Sequence, residues 1–232
     1  MSDFGEAFRL ALGLLARLDA GLLGIVRLSL EMSIAAVALA TLIGLPLAAV
    51  LALGRFAGRR ALVLLANSML GLPPVVVGLA AYLMLSRSGP LGGFGVLFTP
   101  GAMIIVQTIL CTPIIVAIAH RALEQIWARY GDEFEMTGAS RLRVLPHLLA
   151  IGRPQIMTAL LAGFGRSISE VGAIMIVGGN IAGATRTMTT TIALETSKGN
   201  LALALALGII LIALSIAVNG FAFALGSKRS AS

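Results

Sequence analysis

Charged residues along the 232-residue chain are separated by long apolar stretches, and the lengths of those stretches predict the first elements. A helix needs about 20 apolar residues to cross the roughly 30 Å hydrocarbon layer of a bilayer. Four gaps between charges are long enough: 32–54, 61–86, 88–119 and 199–227. The third opens with SGPLGGFGVLFTPG, whose Gly and Pro punctuate a loop, so its helix is placed from about Gly101. A fifth segment, 154–178, is apolar at both ends but carries Arg166 and Glu170 inside. The pattern therefore predicts spans over about 30–54, 61–86, 101–121, 154–178 and 200–226, within a membrane domain of residues 27–228.

The first thirty residues follow another rhythm. Phe4, Phe8, Leu12, Leu15, Leu18 and Leu22 recur at steps of three or four, with Asp3, Glu6, Arg9, Arg17 and Asp19 between them. That is the spacing of an amphipathic helix. The segment lacks the uncharged core of a signal peptide. It is read as a surface helix over 1–26, with a sixth span starting here as the alternative.

Composition fixes the class. Hydrophobic residues make up 58% of the chain and charged ones 12%, with a mean hydropathy of +1.00, values that belong to a bilayer protein. The net charge of +7 comes from Arg scattered between apolar runs rather than from a basic stripe, which argues against nucleic acid as a partner. Cys111 is the single cysteine, so no intrachain disulfide or cysteine cluster is available. His120, His147, Trp127 and the nine Met show no metal or cofactor spacing and are read as packing or interfacial anchors; no cofactor is expected.

Lys/Arg bias sets the expected topology. With five spans and the N-terminus outside, Arg55, Arg59, Arg60, Arg121, Arg129, Arg141, Arg143, Arg153, Lys228 and Arg229 fall on the inner side. Arg9, Arg17, Arg27, Arg87, Arg186 and Lys198 fall on the outer side. The inner excess predicts an N-out, C-in protein of the cell's inner (plasma) membrane, in contact with lipid. Both lysines follow Ser, so no Gly-Lys-Ser/Thr phosphate loop exists. If ATP drives this chain, another subunit hydrolyses it, and the chain itself is expected not to be an enzyme. No duplicated half is visible, which speaks against an inverted-repeat carrier. Five helices offer little polar surface, so a solute path is expected along the two-fold axis of a dimer with a second copy of the chain.

Between the third and fourth spans lies a loop, 122–153, longer than a connection requires. Within it Asp132, Glu133 and Glu135 open a pattern with Phe134, Gly138, Leu142 and Leu145 on one face, read as a short helix over 131–142. Acids in a first turn complement the helix dipole, and Pro146 is expected to end that helix or begin the next. Gly138, Ala139 and Ser140 leave its exposed face almost bare. Glycine inside a helix costs about 1 kcal/mol, so close approach of another surface is the expected compensation. A plain amphipathic hairpin resting on the membrane is the alternative.

The same residues carry a resemblance. DEFEMTGASRLRV, followed by RPQI, resembles the cytoplasmic signature of importer-type ABC permeases: Glu-Ala-Ala, three residues, Gly, then Ile-x-Leu-Pro. Asp132, Glu133 and Phe134 take the Glu-Ala-Ala positions and Gly138 that of the signature glycine; the Leu-Pro ending is missing. GLPPVVVGLAAYLMLSRSGPLG at 71–92 and LFTPGAMIIVQ at 97–107 resemble permeases for molybdate, sulfate and tungstate. RSISEVGAIMIVGGNIAGATRTMTTTIALETSKGN at 166–200 is most similar to the tungstate branch, and the resemblance covers about 27–225. It implies an all-α fold: a five-helix type I importer permease core, preceded here by the amphipathic helix. It also implies a homodimer, two ABC ATPase subunits on the cytoplasmic side and an external oxyanion-binding protein. Asp132, Glu133, Phe134, Gly138, Ala139 and Ser140 become candidates for coupling to the ATPase. The implied substrate is tungstate, with molybdate or sulfate as the alternative.

Arg166 and Glu170 are four residues apart, so a helix puts them on one face where they can pair. Charges at this depth face protein or water, and Ser167 and Ser169 flank them. On one reading this face lines the anion path, where an arginine already neutralised by glutamate offers hydrogen bonds without a deep trap. On the other it is a clasp between helices, as in a scaffold without a solute path. An independent channel or proton-coupled carrier would instead use Glu170 as a proton relay. Pro73 and Pro74 remove two backbone donors from the second span and must kink or interrupt it, as a gate hinge beside Gly71 and Gly78 or as static shape. Gly178, Gly179 and Asn180 stop the fourth span. Thr185, Arg186 and Thr187 beyond them are candidates for touching the binding protein or the anion.

Overall fold

The protein is described by a computed structural model covering residues 2–17, 19–136 and 138–227. Leu18, Lys228 and Arg229 lie outside the described residues, as do the side chains of Phe4, Leu15 and Leu142. Among the described residues the chain is helical, with no strand. The helices are α1 Ser2–Arg17, α2 Ala20–Leu53, α3 Arg59–Ser68, α4 Pro74–Leu85, α5 Pro100–Met136, α6 Arg141–Ile151, α7 Arg153–Ile168, α8 Gly172–Gly178, α9 Met188–Ser197 and α10 Leu201–Ser227. Three of them, α2, α5 and α10, are long and apolar enough to cross a membrane. Two bent pairs raise the number to five when each pair counts as one span: Arg59–Gly71 with α4, and Arg143–Ile151 with α7.

Helices α2 and α5 make the most extensive contact, α7 packs across both, and α10 closes against α1, α9 and α7. One core joins Met32 of α2, Ala81 and Leu85 of α4, Met103 and Val106 of α5, and Ala173, Ile174 and Val177 of α8. A second joins Ala48, Ala52 and Leu53 of α2, Ala119, Leu123 and Ile126 of α5, and Val144 and Leu148 of α6. Between them sit Val37, Ala40, Cys111 and Ile115. Ile34, Leu42, Leu64, Ile212 and Ile216 face outward, the large apolar surface of a protein whose solvent is lipid.

Three elements depart from the reading of the sequence, and a fourth, the second span, is interrupted at its prolines as expected. The amphipathic helix ends at Arg17 rather than at 26, and α2 already begins at Ala20. Asp19 starts it by accepting the Leu22 N–H at 2.9 Å. Arg27 and Glu31 then pair at 2.6 Å on its exposed face, so these charges ride on the helix instead of ending it. Helix α1 is not only a surface element, because Ala11 is buried with Ala206 and Leu207 of α10.

The prolines of the second span interrupt it. Pro73 precedes α4 and Pro74 is its first residue, where a missing N–H costs nothing, and the two halves meet at 100°. The fourth span is likewise not one helix: α7 stops at Ile168 and α8 starts at Gly172. The largest correction concerns the loop. Helix α5 continues without a break to Met136 and α6 begins at Arg141, so there is no separate helix over 131–142. Gly138 is not helical; it turns the chain at φ +68°, a left-handed conformation that costs other residues about 1–2 kcal/mol. Pro146 neither ends nor begins a helix but lies inside α6.

Candidate functional site

Two regions gather the candidate residues. The first is the gap between α7 and α8. The Ser169 hydroxyl donates to the carbonyls of Gly165 at 2.8 Å and Arg166 at 3.2 Å, a local alternative to helix continuation. Gln107 of α5 reaches across and donates from Nε2 to the Ser167 carbonyl at 3.1 Å. That oxygen also accepts the Glu170 N–H at 3.2 Å, so two donors hold the end of α7.

Glu170 occupies the gap and is held from three sides. Its Oε2 lies 3.2 Å from the Arg166 guanidinium, its Oε1 accepts the Ala173 N–H at 3.1 Å, and its carbonyl accepts from Thr189 Oγ1 at 2.6 Å. The pair is lopsided: the Glu170 side chain is 4% exposed and that of Arg166 33%. Ser167 is buried and Ser169 exposed. Arg166 and Ser169 therefore present polar atoms outward, while Glu170 and Ser167 face protein.

The α4 helix that follows Pro73 and Pro74 is seated on this region. A Cβ added at Gly78 would stand 2.7 Å from Ala173 Cα, and one at Gly172 would stand 2.8 Å from a Val75 methyl. The two half-helices thus pack closely, with Gly78 against the Ala173 backbone and Gly172 against the Val75 side chain. Beyond α8, Gly179 (φ +69°) and Asn180 (φ +50°) turn the chain. Thr185 donates to the Gly178 carbonyl at 2.6 Å, and Thr187 caps α9. Both threonines are buried, so neither offers a surface to a partner.

The second region is the turn between α5 and α6. Asp132, Glu133, Gly138 and Ser140 are exposed, whereas Phe134 and Ala139 are half-buried against the second core. The acids sit in the last turn of α5 and not in a first turn, so they oppose that helix's dipole. Nothing lies within 4 Å of a Cβ added at Gly138. Two arginines hold the end of α2, Arg141 from the turn and Arg59 from the start of α3. Arg141 Nη1 donates to the Leu53 carbonyl at 2.6 Å, and Arg59 Nε donates to the Leu51 carbonyl at 2.5 Å. These are orphan carbonyls of a helix C-terminus, where cations are favoured.

Sequence reasoning brought together Arg166 with Glu170 and missed Gln107, Thr189, Arg59 and Arg141. For Gln107 a signal existed: it is the only side-chain amide in the apolar run 88–119. Arg141 gave none, because its partner Leu53 lies 88 positions away.

No family model matches the sequence. A probable anion ABC transporter permease protein of Haloferax volcanii is 42% identical over 185 residues, 78% of this chain and 80% of that protein. The tungstate uptake system permease protein TupB of Peptoclostridium acidaminophilum is 35% identical over 97% of this chain and 99% of its own length. The molybdenum transport system permease protein ModB of Azotobacter vinelandii is 30% identical over 73% and 79%. Among solved structures, a chain of the inward-facing MetNI methionine ABC transporter superposes with a TM-score of 0.68 at 17% identity, covering 85% of this chain and 93% of that one. The backbone accordingly has the type I importer permease fold. With that fold and those relatives along nearly its whole length, the chain belongs to the importer-type ABC transporter permeases, in the group that includes tungstate and molybdenum permeases.

Proposed function

We propose that two copies of this chain form the membrane path of an ATP-driven importer for tungstate, or for a closely related tetrahedral oxyanion such as molybdate or sulfate. The relatives named for tungstate and molybdenum support the substrate class. ATP hydrolysis falls to two separate ATPase subunits on the cytoplasmic side, and an external binding protein delivers the anion. The N-terminus lies outside and the C-terminus inside.

One observation carries the coupling role. Helix α5 runs unbroken for 37 residues, about 55 Å at 1.5 Å per residue, against a hydrocarbon layer of roughly 30 Å. It therefore projects its tip well beyond the bilayer. That tip bears Asp132 and Glu133, which form no ion pair among the described residues, and the bare Gly138 turn. Acids at the wrong end of a helix dipole, beside an exposed glycine turn, are suited to docking a partner that carries cationic groups. Displacement of this turn by the ATPase opens the path along the dimer axis.

In the path itself, half-exposed Arg166 and exposed Ser169 offer hydrogen bonds to a passing dianion. Glu170 neutralises the guanidinium so that the anion is released. Selectivity rests mainly with the binding protein, since these few donors do not cage a dianion. The test is uptake of tungstate into proteoliposomes holding the permease, its ATPase and its binding protein. Uptake must require ATP, and Gly138→Trp must abolish it. Anion flux through the permease alone, without ATP, would replace this reading with a channel or a carrier that relays protons through Glu170.

A further inference from the structure

We infer that Arg141 is the positioning residue through which movement of the Gly138 turn reaches α2, and through α2 the Arg166–Glu170 break. The inference rests on the coupling role proposed above.

Arg141 is the first residue of α6, where a cation opposes the helix's own dipole. Its guanidinium does not face α6; it is spent on two other helices. Nη1 donates to the carbonyl of Leu53, the last residue of α2, at 2.6 Å. Nη2 lies 3.3 Å from Glu135 of α5, and the guanidinium carbon stands 4.8 Å from the centre of the Trp127 ring. One planar fork meets a carbonyl, a carboxylate and an aromatic face at once, which an ammonium group does not match. Among the described residues no other hydrogen bond joins α6 to α2. Val144 and Leu148 share one apolar cluster with Ala48, Ala49, Ala52 and Leu53, but α6 packs chiefly on α5 and α7 rather than on α2. Such a shallow, alanine-lined surface resists separation but does not fix register. Arg141 supplies the directional tie.

From Leu53, α2 runs back to Ser29, whose hydroxyl accepts the Met188 N–H at 2.8 Å. The next residue, Thr189, donates to the Glu170 carbonyl at 2.6 Å. A shift of α2 is therefore delivered by hydrogen bonds to the break that holds the charged pair. Arg59 provides a matched comparison: it grips the Leu51 carbonyl and Glu124 of α5, both at 2.5 Å, but stands at the start of α3, outside the turn. A purely structural role makes the two arginines equivalent, whereas a transmitting role makes only Arg141 matter for coupling.

The experiment uses the complete assembly of permease, ATPase and binding protein in proteoliposomes, and reads tungstate imported per ATP hydrolysed. Arg141→Gln is expected to lower that ratio about fivefold or more, the range of ordinary coupling between sites. Arg141→Lys restores part of it, and Arg59→Gln stays within about twofold of wild type. An unchanged ratio in Arg141→Gln, or an equal loss in Arg59→Gln, overturns the inference. A second reading needs no transport. Spin labels at exposed Ala57 and His147, in a Cys111→Ser background, are expected to keep a fixed separation with and without ATP, and to lose it in Arg141→Gln. A wild-type separation that changes with ATP overturns the tie. Because the label measurement needs ATP but no tungstate, an assembly that imports no tungstate would refute the substrate while the label distances still decide the role of Arg141.

Discussion

Two glycines near the same bend make opposite predictions. At Gly78 an added methyl group would meet Ala173 Cα at 2.7 Å, its carbonyl oxygen at 3.0 Å and its Cβ at 3.2 Å. These are backbone atoms of α8 or atoms fixed to them, so relief requires α4 and α8 to move apart by several tenths of an ångström. Overpacking of this kind costs about 1–3 kcal/mol, and the gain from replacing a helical glycine returns about 1. The net loss for Gly78→Ala is about 0–2 kcal/mol, or up to a few degrees of melting temperature. At Gly71 nothing lies within 4 Å and φ is not positive, so Gly71→Ala only restricts the unfolded chain and adds about 0.4–1 kcal/mol. Cys111, the single and fully buried cysteine, supplies the assay. A fluorogenic maleimide reacts with its thiol as the purified protein unfolds on heating. Gly78→Ala should react at a lower temperature than wild type, and Gly71→Ala at the same or a higher one. If Gly78→Ala melts above wild type, the close seating of α4 on α8 is wrong.

At the turn, Gly138→Trp should uncouple ATP hydrolysis from uptake, while Gly138→Asn, which tolerates a left-handed backbone, should retain most coupling; assays of both activities on the reconstituted assembly separate bulk from backbone strain. Glu170→Gln keeps an acceptor for the Ala173 N–H but loses the carboxylate charge that pairs with Arg166, and should cost about 1–3 kcal/mol; Glu170→Ala loses both and should cost more in the same thiol assay. Lys198 and Asn200 hold the Glu195 carboxylate below the usual range. A depressed folded pKa contributes stability that is present above the ordinary carboxylate value of about 4.3 and is lost as pH falls through the lowered one. Acid should therefore loosen the α9–α10 turn, seen as faster amide exchange, and Glu195→Gln should remove that dependence.

Much of the fold was legible because charge spacing along an apolar chain reports where lipid begins. It does not report where helices end. Arg27 and Glu31 pair on the face of α2, and the charged stretch after His120 simply continues α5, since exposed charges are compatible with helix and only Gly138 supplies a stop. The short helix expected over 131–142 is absent for the same reason: a glycine counted as a helical position is in fact the turn. At the charged break, two residues at a four-residue step disclosed the Arg166–Glu170 pair. The partners that complete it, Gln107 and Thr189, come from other helices. The arginine grips on α2 were hidden too, because contacts between distant segments leave no local pattern.

The most direct test is accumulation of tungstate in proteoliposomes carrying the complete assembly, measured with and without ATP and with molybdate and sulfate as competitors. Uptake that needs ATP and the binding protein, is outcompeted only by tetrahedral oxyanions and disappears in Gly138→Trp is the result this account predicts. ATP-independent uptake, or uptake undiminished by Gly138→Trp, would contradict it.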